Sequence, residues 1–200
     1  MADPLDWRCA CGQVRLDITP GVGARVVCYC KHCRAFARHL DDMETLDAGG
    51  GSDILQVSPE HVRITAGAEH LAALRLTSRG PLRWYATCCS SRVANTGPRR
   101  SLPLVSVMTP RLTDPEAAGP VTARVFTESA TGPVSGPTGS TLRLGMGFVT
   151  RALTSWLSGG TRRHPFFDAK GAPLAAPERP EGAARAAAYD ERIQRPGAPA

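Results

Sequence analysis

Apolar and polar residues alternate over short stretches in the first half of the chain. Over residues 14–19, Val14, Leu16 and Ile18 alternate with polar side chains, a period of two that is typical of a strand with one buried face. Similar short runs predict strands at residues 25–29, 54–57, 62–65, 71–77, 82–86, 104–108 and 122–127. Turn signals such as Pro20-Gly21 and Gly80-Pro81 lie between them. The pattern predicts a mainly β fold, with a small antiparallel sheet or sandwich.

A helical periodicity replaces this alternation beyond a Gly/Pro/Ser-rich linker at residues 131–139. Apolar residues then recur at offsets of four and three, at Leu142, Met146, Val149, Leu153 and Trp156. This spacing predicts one C-terminal amphipathic helix over residues 140–157. We expect its apolar face to pack on the sheet or on a second copy of the chain, which would form a homo-oligomer. A helix lying on a membrane surface is the weaker alternative.

The composition of the chain bears on its cellular location and on its partners. No apolar run is long enough for a membrane span, and residues 1–8 lack the apolar run of a signal peptide, so we expect a cytoplasmic protein. The net charge is +6, but the arginines are scattered and lack interleaved aromatic residues. No nucleic-acid partner is therefore expected.

All seven cysteines lie in three clusters within the first 89 residues, at Cys9/Cys11, Cys28/Cys30/Cys33 and Cys88/Cys89. Each cluster stands where a predicted strand meets a turn, so the thiols can converge on one ion. In a reducing compartment such clusters favour metal over disulfides, and thiolates favour Zn²⁺. We predict one or two zinc ions.

The second cluster supplies three thiolates, one fewer than a closed tetrahedral site needs. Cys28, Cys30 and Cys33 therefore allow an open coordination position, which is typical of catalytic zinc. The alternative is a fourth ligand from elsewhere, such as His32, Cys88 or another histidine, which would make the site structural.

The order Cys9-Ala10-Cys11-Gly12, then Cys28-Tyr29-Cys30-Lys31-His32-Cys33-Arg34, then an aromatic strand ending near Cys89 resembles the glutathione-dependent formaldehyde-activating enzyme family, which includes centromere protein V. The resemblance covers residues 7–110. It implies a mostly β fold with two zinc sites, one closed around the first C-x-C and a late cysteine pair, the other open on the C-x-C-x-x-C. It also implies carbon–sulfur lyase chemistry, the reversible addition of glutathione to formaldehyde, with Cys28, Cys30 and Cys33 as catalytic ligands.

The third cluster departs from that family, which has Cys-x-x-Cys-Gly where this chain has Ala86-Thr87-Cys88-Cys89-Ser90. Cys9, Cys11 and Cys89 remain expected metal ligands. Cys88 is harder to include, because adjacent residues of an extended chain point to opposite sides. The fourth ligand is therefore left open between Cys88, a histidine and water.

These observations lead to two hypotheses. The first is a zinc-dependent carbon–sulfur lyase that handles a small thiol or its aldehyde adduct, with Arg34 either binding a substrate carboxylate or holding the zinc loop. The second is a non-catalytic zinc-stabilised module that binds a protein partner. The predicted organisation is a zinc-binding β domain at residues 1–130, the linker at 131–139, a helical extension at 140–167 and a disordered tail at 168–200. A short helix at residues 182–194 is the alternative within that tail.

Overall fold

The structure is a computed structural model that describes residues 3–192. Within that range the chain forms ten β-strands and three α-helices. The strands are β1 (Leu5–Arg8), β2 (Arg15–Ile18), β3 (Ala24–Cys28), β4 (Ser52–Val57), β5 (Val62–Ala66), β6 (Leu71–Leu74), β7 (Leu82–Ala86), β8 (Ser91–Thr96), β9 (Val105–Met108) and β10 (Val121–Val125). The helices are α1 (Lys31–His39), α2 (Thr141–Leu157) and α3 (Gly182–Tyr189). The prediction of a mainly β fold is confirmed, whereas the prediction of a single helix is wrong.

The strands form two sheets. The small sheet has the order β1-β2-β5 and is antiparallel. The large sheet has the order β10-β3-β4-β9-β8-β7-β6. Its neighbours are antiparallel except β10, which runs parallel to β3 and pairs Val125 with Cys28. The expected antiparallel sheet is therefore mixed, because residues after β9 return to the edge of β3 in the same direction.

The small sheet covers one face of the large sheet, and the two enclose the main core. Alternate residues of both sheets, including Leu16 and Ile18 from β2, are fully buried there. Trp84 is also fully buried, and its ring lies 4.9 Å from the ring centroid of Phe166. Phe166 and Phe167 belong to the predicted helical extension, so this part of the extension completes the core of the β domain.

The opposite face of the large sheet packs against α1 and α3. Val26, Ile54 and Met108 from the sheet contact Phe36 of α1 and Ala188 of α3 in a second buried cluster. A disordered tail was expected over residues 168–200, with a short helix at 182–194 as the alternative. Helix α3 forms there and packs on α1, and residues 193–200 lie outside the described range. The two packed faces place one cysteine cluster on each side of the sheet.

The predicted helix at residues 140–157 is confirmed as α2, and Ser140 caps its N-terminus through a hydrogen bond from the Arg143 N–H. Its burial differs from the expectation. Ala152 and Ser155 face the protein, and the Ser155 hydroxyl donates to Glu60 at 2.8 Å. The apolar stripe is exposed, so the expected packing on the sheet is wrong, whereas packing on a second copy of the chain stays a prediction. None of the helices within residues 3–192 is long and apolar enough to cross a membrane.

Buried His164 predicts a loss of stability in acid. Its Nδ1 accepts the Phe166 N–H, while its Nε2 has no hydrogen-bond partner among the described residues. Burial, with a smaller contribution from Arg100, lowers the pKa of His164 to about 4. An unfolded histidine titrates near pH 6.5, so protonation favours the unfolded chain as the pH falls from 6.5 towards 4. The free energy of unfolding should decrease by roughly 2–3 kcal/mol across that range.

The matched variant is His164→Gln, which keeps a side-chain acceptor and does not titrate. Denaturant unfolding of both proteins at several pH values measures the effect as the difference between their two curves. Parallel curves for the wild type and His164→Gln would contradict the prediction.

Candidate metal centres

Two hairpin turns meet at the first centre. Cys9 and Cys11 lie in the turn between β1 and β2, and Cys88 and Cys89 lie in the turn between β7 and β8. The four sulfur atoms lie within 4.8 Å of one another. Adjacent pairs are 3.3–3.9 Å apart, and all four thiols are free. This arrangement could hold a metal ion with four sulfur ligands.

Backbone and hydroxyl hydrogen bonds fix the positions of the two turns. The Val14 N–H donates to the Cys9 sulfur at 3.2 Å. The Ser91 hydroxyl accepts the Ala10 N–H at 2.9 Å and lies 3.2 Å from the Cys89 sulfur. One serine therefore ties both turns together.

Cys88 joins the centre because it lies in a turn and not in a strand. The objection that neighbouring residues point to opposite sides applies to extended backbone. Here β7 ends at Ala86, and the backbone reverses before β8 begins. Ser90 has a φ of 55°, a left-handed conformation that favours glycine. It occupies the position at which the resembled family has glycine, and the turn forms with serine in its place.

The thiols of this centre differ in acidity. Burial opposes ionisation of Cys89, but hydrogen bonds from Ser91 and from the Cys11 N–H outweigh it and lower the pKa of Cys89 to about 6. Burial raises the pKa of Cys9 and of Cys88. A cation would reverse these increases, because it favours the thiolate form of every ligand.

The second centre lies at the junction of β3 and α1, on the other face of the large sheet. Cys28 is the last residue of β3, Cys30 is the N-cap of α1, and Cys33 lies in the first turn of α1. Their sulfur atoms also lie within 4.8 Å of one another, with 3.7 Å between Cys28 and Cys33. The structure therefore brings together all three residues that the sequence assigned to this site.

A buried arginine stands beside these three cysteines. Arg83 of β7 is 4% exposed, and its Nη1 lies 3.9 Å from the Cys33 sulfur and donates to the Asn95 side chain at 3.1 Å. It makes no ion pair with a carboxylate in the part of the chain that the structure describes. Hydrogen bonds from Cys28 and Cys30, together with Arg83, lower the pKa of Cys33 well below its usual range. Thiolate is the anion that offsets this buried charge.

Arg34, which follows the three cysteines in the chain, is also buried. It donates to the carbonyls of Tyr29 and Ser129, so it holds the loop that follows β3. Its remaining donors bind the carboxylate of Glu191, beyond the end of α3. Arg34 therefore holds the loop, which is one of the two roles expected for it. It also binds a carboxylate, which here belongs to Glu191.

Two open clefts flank the N-terminus of α1. One of about 440 Å³ is lined by Lys31, His32 and residues of α3, and one of about 710 Å³ is lined by Lys31, Arg34 and Glu191 among others. The Tyr189 hydroxyl lies 2.7 Å from Nδ1 of His32, and Tyr189 lines both clefts. Neither cleft is lined by a cysteine, because α3 packs against this side of α1.

Comparison with known proteins gives a family. The profile of a family of unknown function (DUF6151) matches residues 1–178. The chain belongs to this family. The DUF6151 match contains all seven cysteines, Arg34, Arg83 and α2, and it ends before α3. A crystal structure of a Rhodobacter sphaeroides protein, a structural-genomics target, is similar at 18% identity with a TM-score of 0.41, over 58% of this chain and 97% of that one. No curated protein matches the chain.

Sequence reasoning missed Arg83 and Tyr189 as neighbours of the three-cysteine centre. Arg83 stands in a strand beside Trp84 and carries no motif, so only its burial next to Cys33 identifies it. Tyr189 lies in the segment for which a disordered tail was predicted. A short helix was the alternative there, but its Gly/Ala-rich sequence gave no signal that this helix packs on α1.

Proposed function

We propose that the protein binds two zinc ions, one structural and one with an open coordination position, and that the second supports carbon–sulfur lyase-like addition of a thiol to an aldehyde. The observation that carries the proposal is the convergence of three thiols from Cys28, Cys30 and Cys33 beside buried Arg83.

The sulfur spacing supports zinc. Four ligands at about 2.3 Å from a tetrahedral ion stand about 3.8 Å from one another. The contacts of 3.3–3.9 Å at the four-cysteine centre and 3.7 Å between Cys28 and Cys33 agree with that value. A disulfide would need about 2.05 Å. An all-sulfur tetrahedral donor set favours zinc among common cellular metals.

The net charge that each centre would carry with zinc bound supports different roles for the two centres. Zinc with three thiolates carries one net negative charge, which the adjacent Arg83 guanidinium offsets within a buried site. The fourth position at this centre would then be open to an external ligand. Four thiolates from the two hairpin turns instead form a closed site, which stabilises the small sheet against the large one.

A zinc ion in the open centre would lower the pKa of a coordinated thiol and polarise a carbonyl group. In the net reaction a new carbon–sulfur bond forms at the carbonyl carbon, and the thiol proton ends on the former carbonyl oxygen. Within the chain, Arg83 would hold the anionic centre, and Arg34 would bind a substrate carboxylate. The Arg34–Glu191 ion pair supports this last role, because that guanidinium already binds a carboxylate at the edge of the larger cleft.

One observation favours the second candidate, a non-catalytic zinc-stabilised interaction module. Helix α3 packs against α1, Ala188 lies in the same buried cluster as Cys28 and Cys33, and the two clefts have no cysteine lining. Cys28 and Cys33 are buried, and only Cys30 is partly exposed. The two candidates differ in whether a thiol gains access to the three cysteines.

Metal analysis and a thiol-exchange assay test the proposal together. Anaerobically purified protein should contain about two zinc ions per chain. Mixed with formaldehyde and a panel of small thiols, it should accelerate exchange of the adduct as followed by NMR. The Cys30→Ser variant should lose this acceleration and about one zinc.

The matched control is Cys11→Ser, which removes an exposed ligand of the other centre. It should also lose about one zinc but keep the acceleration. Two bound zinc ions without acceleration by any thiol would reject the lyase and leave the interaction module. Full acceleration in Cys30→Ser would place the chemistry elsewhere, and less than about 0.2 zinc per chain would remove both candidates.

A further inference from the structure

Helix α2 carries most of the exposed apolar surface of the protein. Among residues 3–192, eight large apolar side chains are exposed, and six of them belong to this helix. We name these six the α2 apolar face: Leu142, Met146, Val149, Leu153, Trp156 and Leu157. Their exposed fractions range from 50% to 89%. A contiguous apolar surface of this kind marks an interaction site.

The α2 apolar face is distinct from the side of the helix that packs on the protein. At about 100° per residue, the six side chains lie within an arc of about 100° that runs the length of the helix, about 22 Å. Ala152 and Ser155, which are buried, lie outside that arc. The Trp156 indole N–H donates to the Ser101 carbonyl at 2.8 Å. Its polar atom is therefore satisfied while half of the side chain stays exposed.

Every Asp, Glu, Lys or Arg residue in the segment that contains α2 is an arginine. Residues 129–167 contain no aspartate or glutamate and four arginines, Arg143, Arg151, Arg162 and Arg163. Arg143 flanks the face near the start of the helix, and exposed Arg162 and Arg163 follow its end. Glu60, the carboxylate that α2 does contact, accepts the Ser155 hydroxyl on the packed side.

We infer that the α2 apolar face docks in the plane of an anionic phospholipid surface. An apolar arc bordered by arginine, with a tryptophan along it, matches what a helix needs to enter the headgroup boundary. A second copy of the chain is a poorer match. In a two-fold pairing of two α2 helices, the same surface meets itself. Arginines then face arginines, whether the helices run parallel or antiparallel, and no carboxylate from residues 129–167 is available to offset them.

Vesicle binding by the full chain tests the inference. The wild type should cosediment with vesicles of equal amounts of phosphatidylglycerol and phosphatidylcholine, and much less with pure phosphatidylcholine. The double variant Val149→Gln/Leu153→Gln should reduce the partition coefficient at least about tenfold, because two apolar side chains no longer enter the lipid. Arg162→Gln/Arg163→Gln should reduce the response to salt.

The matched control is Thr150→Gln/Thr154→Gln, which places the same side chains on the exposed polar side of the same helix and should change the partition coefficient by less than about twofold. All substituted positions are exposed. Circular dichroism should therefore show the same fold for every variant. Equal vesicle binding by the two double variants would overturn the inference. A second result would also overturn it. In that result the wild type binds neither kind of vesicle but forms a dimer, measured by light scattering, and Val149→Gln/Leu153→Gln dissociates this dimer. The α2 apolar face would then be assigned to a second copy of the chain.

Discussion

Replacing Cys9 with serine should remove one zinc ion and lower the free energy of unfolding by at least about 4 kcal/mol at a free zinc concentration a thousandfold above the dissociation constant. Cys9 is the buried cysteine of the four-cysteine centre, and its sulfur accepts the Val14 N–H. Its loss leaves three thiols at this centre, so the β1–β2 and β7–β8 turns no longer supply the four sulfur ligands of a closed site. The free energy of metal binding to the folded chain is then lost from the stability of the whole domain.

Chelation separates the metal from the substitution itself. Denaturant unfolding of the wild type and of Cys9→Ser should give similar free energies once zinc is removed from both, because serine is nearly isosteric with cysteine. The difference of at least about 4 kcal/mol should return on addition of zinc. If Cys9→Ser retains the wild-type metal content and stability, the four cysteines do not form a structural metal site.

Replacing Asp42 with asparagine should destabilise the fold by about 3–5 kcal/mol. Asp42 is 4% exposed, and its carboxylate accepts Nε of fully buried Arg92 at 2.9 Å and Nη2 of Arg111 at 2.7 Å. Asparagine keeps the size of the side chain but leaves the Arg92 charge without a counterion in the interior. An uncompensated buried charge costs far more than the ion pair itself contributes. Denaturant unfolding at neutral pH measures the change.

The same cluster provides its own control at the surface. Arg111 also pairs with Glu44 at 2.8 Å, but the Glu44 side chain is 65% exposed. Glu44→Gln removes a carboxylate from the same arginine and should cost less than about 1 kcal/mol, because water screens the exposed pair. Equal losses from Asp42→Asn and Glu44→Gln would show that burial is not what gives Asp42 its effect.

Local alternation was sufficient to predict most of the strands. β7 has the predicted bounds, and β2, β4 and β5 differ by a residue or two. In β2 the reason is clear, because Leu16 and Ile18 are buried and alternate with less buried residues. β8 was missed because all six of its residues are buried, including Arg92. A strand that buries arginine on one face and alanine on the other does not alternate in hydrophobicity.

Helix α1 was missed, and α3 was predicted only as an alternative to a disordered tail, for other reasons. Helix α1 contains Cys33 and Arg34, and these residues were assigned to a metal-binding loop. No helix was therefore predicted over the segment that continues with Ala35 and Phe36. Helix α3 is short and rich in alanine, and it is held by tertiary contacts such as the hydrogen bond from Arg38 to the Ala188 carbonyl at 2.8 Å. A sequence window has no access to such contacts.

For the candidate sites, the sequence indicated which cysteines group together, because two groups are local in the chain. It could not resolve Cys88, since its direction depends on the turn at Ser90. It also could not foresee that the apolar residues of α2 face away from the sheet. Periodicity predicts that an apolar face exists, but the partner that covers it depends on the whole fold.

β10 pairs with β3 but is synthesised much later, so the sheet beside Cys28 is completed late in synthesis. β3 carries Cys28 and lies near the start of the chain, but its second neighbour in the sheet begins only at Val121. Helix α3, which covers α1, begins at Gly182. While the ribosome is still adding these residues, Cys28, Cys30 and Cys33 have already emerged without either cover. The nascent chain therefore has an interval in which this site can capture a metal ion from solution, before later segments close over it.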